Sequence, residues 1–102
     1  MSVVAMTRVL YDDFVKDEVI ELGQQAVKIF EQQPGFVSLQ RYRSRDRNEI
    51  VTLIEWESEC AYTSCNESHD WLLLMPQWCA LQEEGDVEID TRLLDPLGTG
   101  KK

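Results

Sequence analysis

The 102-residue chain predicts an α+β domain in which a four-stranded antiparallel sheet carries helices on one face, the split βαβ pattern of a ferredoxin-like fold. Three observations carry this prediction. Segments of strand and helix periodicity follow one another as strand, helix, strand, strand, helical region, strand. The second and third strand segments are separated by Arg45-Asp46-Arg47-Asn48, a polar stretch of hairpin length and composition. The third strand segment is apolar on both faces, with Val51 and Leu53 on one side and Ile50, Ile54 and Trp56 on the other. Helices cover only one side, so a homodimer in which a second sheet buries the other is expected.

Val3 to Leu10 is rich in β-branched and long apolar residues and reads as the first strand, running into Tyr11-Asp12-Asp13, where two aspartates offer turn and helix-capping oxygens. Val15, Val19, Leu22, Ala26, Ile29 and Phe30 then recur at steps of three and four, which predicts an amphipathic helix. Gln33-Pro34-Gly35 ends it, because proline cannot continue the hydrogen-bond ladder and glycine accepts left-handed geometry. Phe36 to Ser44 and Glu49 to Trp56 are the hairpin strands. Ser58 is placed to cap a short helix ending near Asn66, and Ser68-His69-Asp70 to open another. Trp71, Leu74, Trp78 and Leu81 mark its apolar stripe, which Pro76 is expected to break or kink. Past Gly85, Val87, Ile89, Thr91 and Leu93 alternate with Glu88, Asp90 and Arg92 as the last strand. One domain over residues 1–96 and a flexible tail over 97–102 are expected.

Ten basic and nineteen acidic side chains give a net charge of −9, which opposes binding to nucleic-acid phosphates and anionic membrane surfaces. The opening residues lack the features of a secretory signal, and no run approaches the ~18 apolar residues of a membrane span. A cytoplasmic protein with no nucleic-acid or membrane partner is expected. Cys60, Cys65 and Cys79 show no C-x-x-C spacing, and His69 is the only histidine, so neither a disulfide framework nor a metal site is indicated. Cys60 and Cys65 read as buried small hydrophobes.

The run Pro34-Gly35-Phe36-Val37-Ser38-Leu39-Gln40, with Trp56-Glu57-Ser58-Glu59-Cys60-Ala61-Tyr62 at the corner from strand three to a helix, resembles the antibiotic biosynthesis monooxygenase family. That family has P-G-F before strand two and W-x-S-x-x-A followed by an aromatic at the corner, and the resemblance covers about residues 3–95. It implies a dimeric α/β barrel. For activity it implies oxidation of a small aromatic, polyketide- or quinol-like substrate with dioxygen, without metal or flavin. In the quinone-forming branch an Asn lies four residues before the Trp and a Tyr six after it; Thr52, Trp56 and Tyr62 stand at those places here, so the Asn is replaced. In the haem-degrading branch an Asn, a Trp and a His form the working set, and Thr7 or its neighbour, Cys65 and Met75 stand at those places. That substitution implies a protein that does not cleave haem.

The candidate pocket lies between the sheet and the helical region, lined by Thr52, Ile54, Trp56, Tyr62, His69 and Trp71. Trp56, Tyr62 and His69 are the candidate catalytic residues: Trp56 to position the substrate, Tyr62 or His69 to relay a proton. Each also has an ordinary structural use, Trp56 as core, Tyr62 as an amphipathic side chain and His69 as an exposed residue of a helix cap. Arg41, Arg43, Arg45 and Arg47 alternate along strand two and its loop, where solvation and pairing with Glu49, Glu55 or Glu57 are expected. Two functions remain open. One is a cofactor-independent monooxygenase; the alternative is a non-catalytic small-molecule-binding or accessory dimeric module of the same fold.

Overall fold

A computed structural model of the chain describes residues 1–98 and Gly100. The element order is β1 (Val3–Tyr11), a 3-10 turn (Asp13–Val15), α1 (Lys16–Glu31), β2 (Phe36–Arg43), β3 (Glu49–Trp56), α2 (Glu59–Asn66), α3 (His69–Glu83) and β4 (Val87–Leu94). The strands form one antiparallel sheet in the order β2-β3-β1-β4, which is the expected ferredoxin-like α+β arrangement. Of the expected tail, Thr99, Lys101 and Lys102 lie outside the described residues, while Leu97 is fully exposed. No helix among the described residues is long and apolar enough to cross a membrane.

The sheet register sorts side chains into two faces. Pairings Ala5↔Ile54, Thr7↔Thr52 and Val9↔Ile50 put these residues on the helix side, together with Trp56 opposite Val3. Ala5, Val9, Ile50, Ile54 and Trp56 are buried there under α1, α2 and α3. Their neighbours Val4, Met6, Leu10, Val51 and Leu53 lie on the opposite face and are half-exposed. Amid that open face Glu49 is buried, and its Oε2 accepts hydrogen bonds from Arg8 Nε at 2.8 Å and Nη2 at 2.6 Å. Arg8 foremost, with Arg47 3.4 Å away, holds the Glu49 carboxyl below its ordinary range.

The two ends of α1 differ from each other in how they are closed. The aspartates cap nothing with their side chains; Asp12 enters through its backbone carbonyl, which accepts from Val15 N–H at 3.1 Å in the 3-10 turn. Val19, Leu22 and Ala26 are the buried stripe of α1. Beyond Glu31, Phe36 N–H donates to Gln33 O at 3.2 Å across Pro34 and Gly35, and Gly35 takes φ 85°, the Pro-Gly arrangement of a type II turn. A Cβ on Gly35 would collide with Ala61 Cβ of α2, and Gly35 O accepts from Glu57 N–H at 2.8 Å. The P-G-F turn and the helix corner after Trp56 are thus one packed crossing, which requires a glycine on one side and a small residue on the other.

Ser58 caps α2 as expected, its Oγ accepting from Ala61 N–H at 3.1 Å. Ser68 precedes α3 without such a bond, and its Oγ is buried with no partner. The helical region breaks at Glu67 and Ser68; Pro76 sits inside α3, not at a boundary. The carbonyl that Pro76 deprives of a donor belongs to Leu72, a residue 52% exposed, so solvent can satisfy it. Leu74, Trp78 and Leu81 form the buried stripe of α3.

Candidate functional site

Where α1, α2 and α3 cross the sheet they leave a cavity of about 230 Å³. Thr52, Ile54 and Trp56 of β3 contribute to its floor and Thr7 and Thr91 to its strand β1–β4 side, while Tyr62, Trp71, Met75 and Trp78 line it from α2 and α3. The two-residue period of β3 supplies the first set, and the three-to-four-residue period of α3 supplies Trp71, Met75 and Trp78. All three tryptophans of the chain line this one space.

Trp56 is 1% exposed and held edge-on between Phe30, at 6.3 Å between ring centroids, and Phe36, at 6.0 Å. Phe30 also packs against Trp71 at 5.1 Å. The aromatic wall is therefore fixed by α1, the P-G-F turn and α3 together. The indole N–H groups of Trp56 and Trp78 are buried with no acceptor, each an unmet hydrogen bond that costs ~1–3 kcal/mol. Tyr62 is half-buried at the edge of the same cluster. Cys65 is buried, and burial alone pushes its thiol up to about 11, so at neutral pH it is an uncharged wall atom and no nucleophile.

Of the six residues expected to line a pocket, Thr52, Ile54, Trp56, Tyr62 and Trp71 lie together on this cavity, and His69 does not. His69 is the first residue of α3 and is exposed. It precedes Trp71 by two positions, about 200° around the helix at 100° per residue, so when Trp71 faces the sheet His69 faces solvent. Cys60 is likewise exposed, contrary to the expectation of a buried thiol, because it points away from the face of α2 that buries Cys65. Thr7, Cys65 and Met75 all border the cavity. Among the described residues no group of three or more His, Cys, Asp or Glu is placed to hold a metal ion.

Arg41 was not expected in this place. Strand β2 ends at Arg43, so Arg45 and Arg47 belong to the loop and the four arginines do not share a strand face. Arg41 pairs with Thr52 across the hairpin, lies on the helix side, and lines the cavity. Its terminal nitrogen lies 2.5 Å from where a Cβ on Gly23 of α1 would stand. Two signals for this are present in the sequence: Arg41 shares the parity of Leu39, and a glycine interrupts an otherwise strongly amphipathic helix.

The model of the antibiotic biosynthesis monooxygenase family matches residues 2–75, and the chain belongs to that family. Among solved structures the chain is similar to SnoaB, a cofactor-independent oxygenase from Streptomyces nogalater, with a TM-score of 0.79 at 20% identity over 96% of this chain and 95% of that one. It is similar also to Rv0793 from Mycobacterium tuberculosis, with a TM-score of 0.82 at 17% identity over 99% and 100% of the two chains. A conserved protein from Methanosarcina mazei Go1 shares the fold with a TM-score of 0.73 at 15% identity over 90% and 91%. At such identities these likenesses speak for the fold. No curated protein matches the chain.

Proposed function

We propose that the chain is a cofactor-independent monooxygenase that oxidises a small electron-rich aromatic, such as a polyketide-like phenol or quinol, with dioxygen. The observation that carries this reading is the apolar cavity of about 230 Å³ walled by all three tryptophans. It is just below the roughly 300–1,000 Å³ of sites for drug-sized ligands, so it suits one or two fused rings. Oxygen atoms on such a ring would supply acceptors of the kind the buried Trp56 and Trp78 N–H groups lack. For a phenol the reaction balances with the substrate as sole reductant: a ring C–H becomes C=O, the phenol becomes the second C=O, and the other oxygen atom leaves as water. The protein's part is orientation, exclusion of water and relay of the phenolic proton. Tyr62 is the side chain proposed for that relay, since its hydroxyl both donates and accepts and it lines the cavity, whereas His69 faces solvent.

The chain is also proposed to act as a cytoplasmic homodimer, formed by the open sheet face that carries Val4, Met6, Leu10, Val51 and Leu53 around the half-buried Arg8–Glu49 pair. Residues 1–96 would be its domain and 97–102 a flexible tail.

Oxygen uptake with a panel of dihydroxynaphthalenes, with the product identified by mass spectrometry, tests the activity. Trp56→Phe and Tyr62→Phe, each checked for folding by circular dichroism, should lower uptake at least roughly tenfold, the size of a lost positioning or proton-relay contact. The second reading, a binding module without turnover, is favoured by Thr52 at the place of the family Asn, because a hydroxyl lacks the amide's fixed donor and acceptor pair. Ligand binding without oxygen uptake would decide for it.

A further inference from the structure

We propose that Arg41 makes the cavity selective for an aromatic ligand that carries a carboxylate, with the guanidinium as its receptor; this rests on the reading of the cavity as an aromatic-ligand site. Among the described residues Arg41 is the one cationic side chain on the cavity wall, and no aspartate or glutamate lines it. In a chain with nineteen acidic residues and a net charge of −9, that exclusion leaves a local positive centre inside an acidic particle.

The other arginines around the hairpin differ from it: Arg43 and Arg45 are exposed to solvent, and the rest are paired. Arg8 is committed to Glu49 at 2.6 Å, and Arg47 approaches the same carboxylate at 3.4 Å. Arg41 makes no ion pair and no side-chain hydrogen bond among the described residues, and it is only half-exposed. A guanidinium partly withdrawn from water without a counter-charge retains its planar donor fork for a bidentate acceptor, and carboxylate matches that fork.

Gly23 is the independent observation. A glycine at the middle of α1 costs the helix about 1 kcal/mol relative to alanine. Here its missing side chain is the space in which the Arg41 guanidinium lies, with the terminal nitrogen 2.5 Å from the absent Cβ. An alanine would push the flexible end of Arg41 aside without touching backbone. The helix therefore gives up propensity at the one place that seats this guanidinium under α1.

The test is a matched pair of probes, naphthoate and neutral naphthylmethanol, titrated calorimetrically at pH 7 into the full chain and into Arg41→Met and Gly23→Ala, with melting temperatures alongside. The wild type should bind naphthoate roughly tenfold tighter, about 1.4 kcal/mol. Arg41→Met should abolish or invert that preference, read as the ratio of the two affinities within the variant, since an apolar wall rejects an unpaired anion. Gly23→Ala should narrow the preference with a melting temperature equal to or above that of the wild type, an outcome that loss of fold cannot imitate. Equal wild-type affinity for the two probes, or a preference kept in Arg41→Met, overturns the role of Arg41 and leaves the aromatic cavity standing. Failure of both probes to bind the wild type overturns both.

Discussion

Replacing Gly35 by alanine tests whether the P-G-F turn and the corner after Trp56 form one packed crossing. Two costs add. Gly35 has φ 85°, a left-handed backbone that costs a residue with a Cβ roughly 1–2 kcal/mol. The new methyl would also overlap Ala61 Cβ on α2, whose place is set by the Ser58 cap and by the buried Cys65, and overpacking of this kind costs ~1–3 kcal/mol. The sum, about 2–5 kcal/mol, should lower the melting temperature of a domain this size by at least about 8 °C. Ala61→Gly alone should cost about 1 kcal/mol of helix propensity. Combined with Gly35→Ala it should recover about 1–3 kcal/mol, since the overlap disappears while the backbone strain remains. Thermal and urea unfolding of the four proteins gives the coupling. A Gly35→Ala melting temperature unchanged from the wild type, or strictly additive losses in the double variant, would refute the crossing.

The ion pair on the open sheet face gives a pH dependence. Because Arg8 holds the Glu49 carboxyl below its ordinary value of 4.5, the unfolded chain takes up that proton first as pH falls. The pair's contribution is thus complete above about pH 4.5 and is lost as pH falls through the lower folded value; melting curves of wild type and Glu49→Gln should stay apart at neutral pH and converge in acid. Curves that stay parallel down to the acid transition would contradict it. Thiol labelling with Ellman's reagent should modify Cys60 in the native protein and leave Cys65 untouched until denaturant is added, with sites assigned by mass spectrometry. Rapid native labelling of Cys65 would show that its burial is wrong. Light scattering behind size exclusion should report about twice the 11.9 kDa chain mass, whereas a monomer at micromolar concentration would leave the apolar open face unexplained.

The fold was legible because its elements announce themselves by period. The alternation in β3 and β4, the steps of α1 and the Pro34-Gly35 stop each agree with the others, and their boundaries fall within a residue or two of those observed. Pro76 does not divide α3, because the cost of a proline depends on whether solvent can reach the orphaned Leu72 carbonyl, a fact of exposure and not of sequence. The site was legible in part. β3 parity brings Thr52, Ile54 and Trp56 to one face, and the corner motif brings Tyr62 above them. His69 lies off the cavity although it is close to Trp71 along the chain, because helical rotation sends the two side chains to opposite sides. Arg41 was hidden by the run of four arginines, since only the strand end at Arg43 and the pairing with Thr52 separate it from solvated neighbours.

The central claim, that an aromatic ligand occupies the cavity between sheet and helices, is most directly tested by intrinsic fluorescence, because all three tryptophans line that space and none lies elsewhere. Titration with a dihydroxynaphthalene, alongside calorimetry under the same conditions, should quench the emission saturably with one dissociation constant in both experiments. Trp56→Phe should weaken that binding and remove part of the quenching amplitude. Saturable heat with tryptophan emission unchanged would put the ligand outside the cavity and contradict the account.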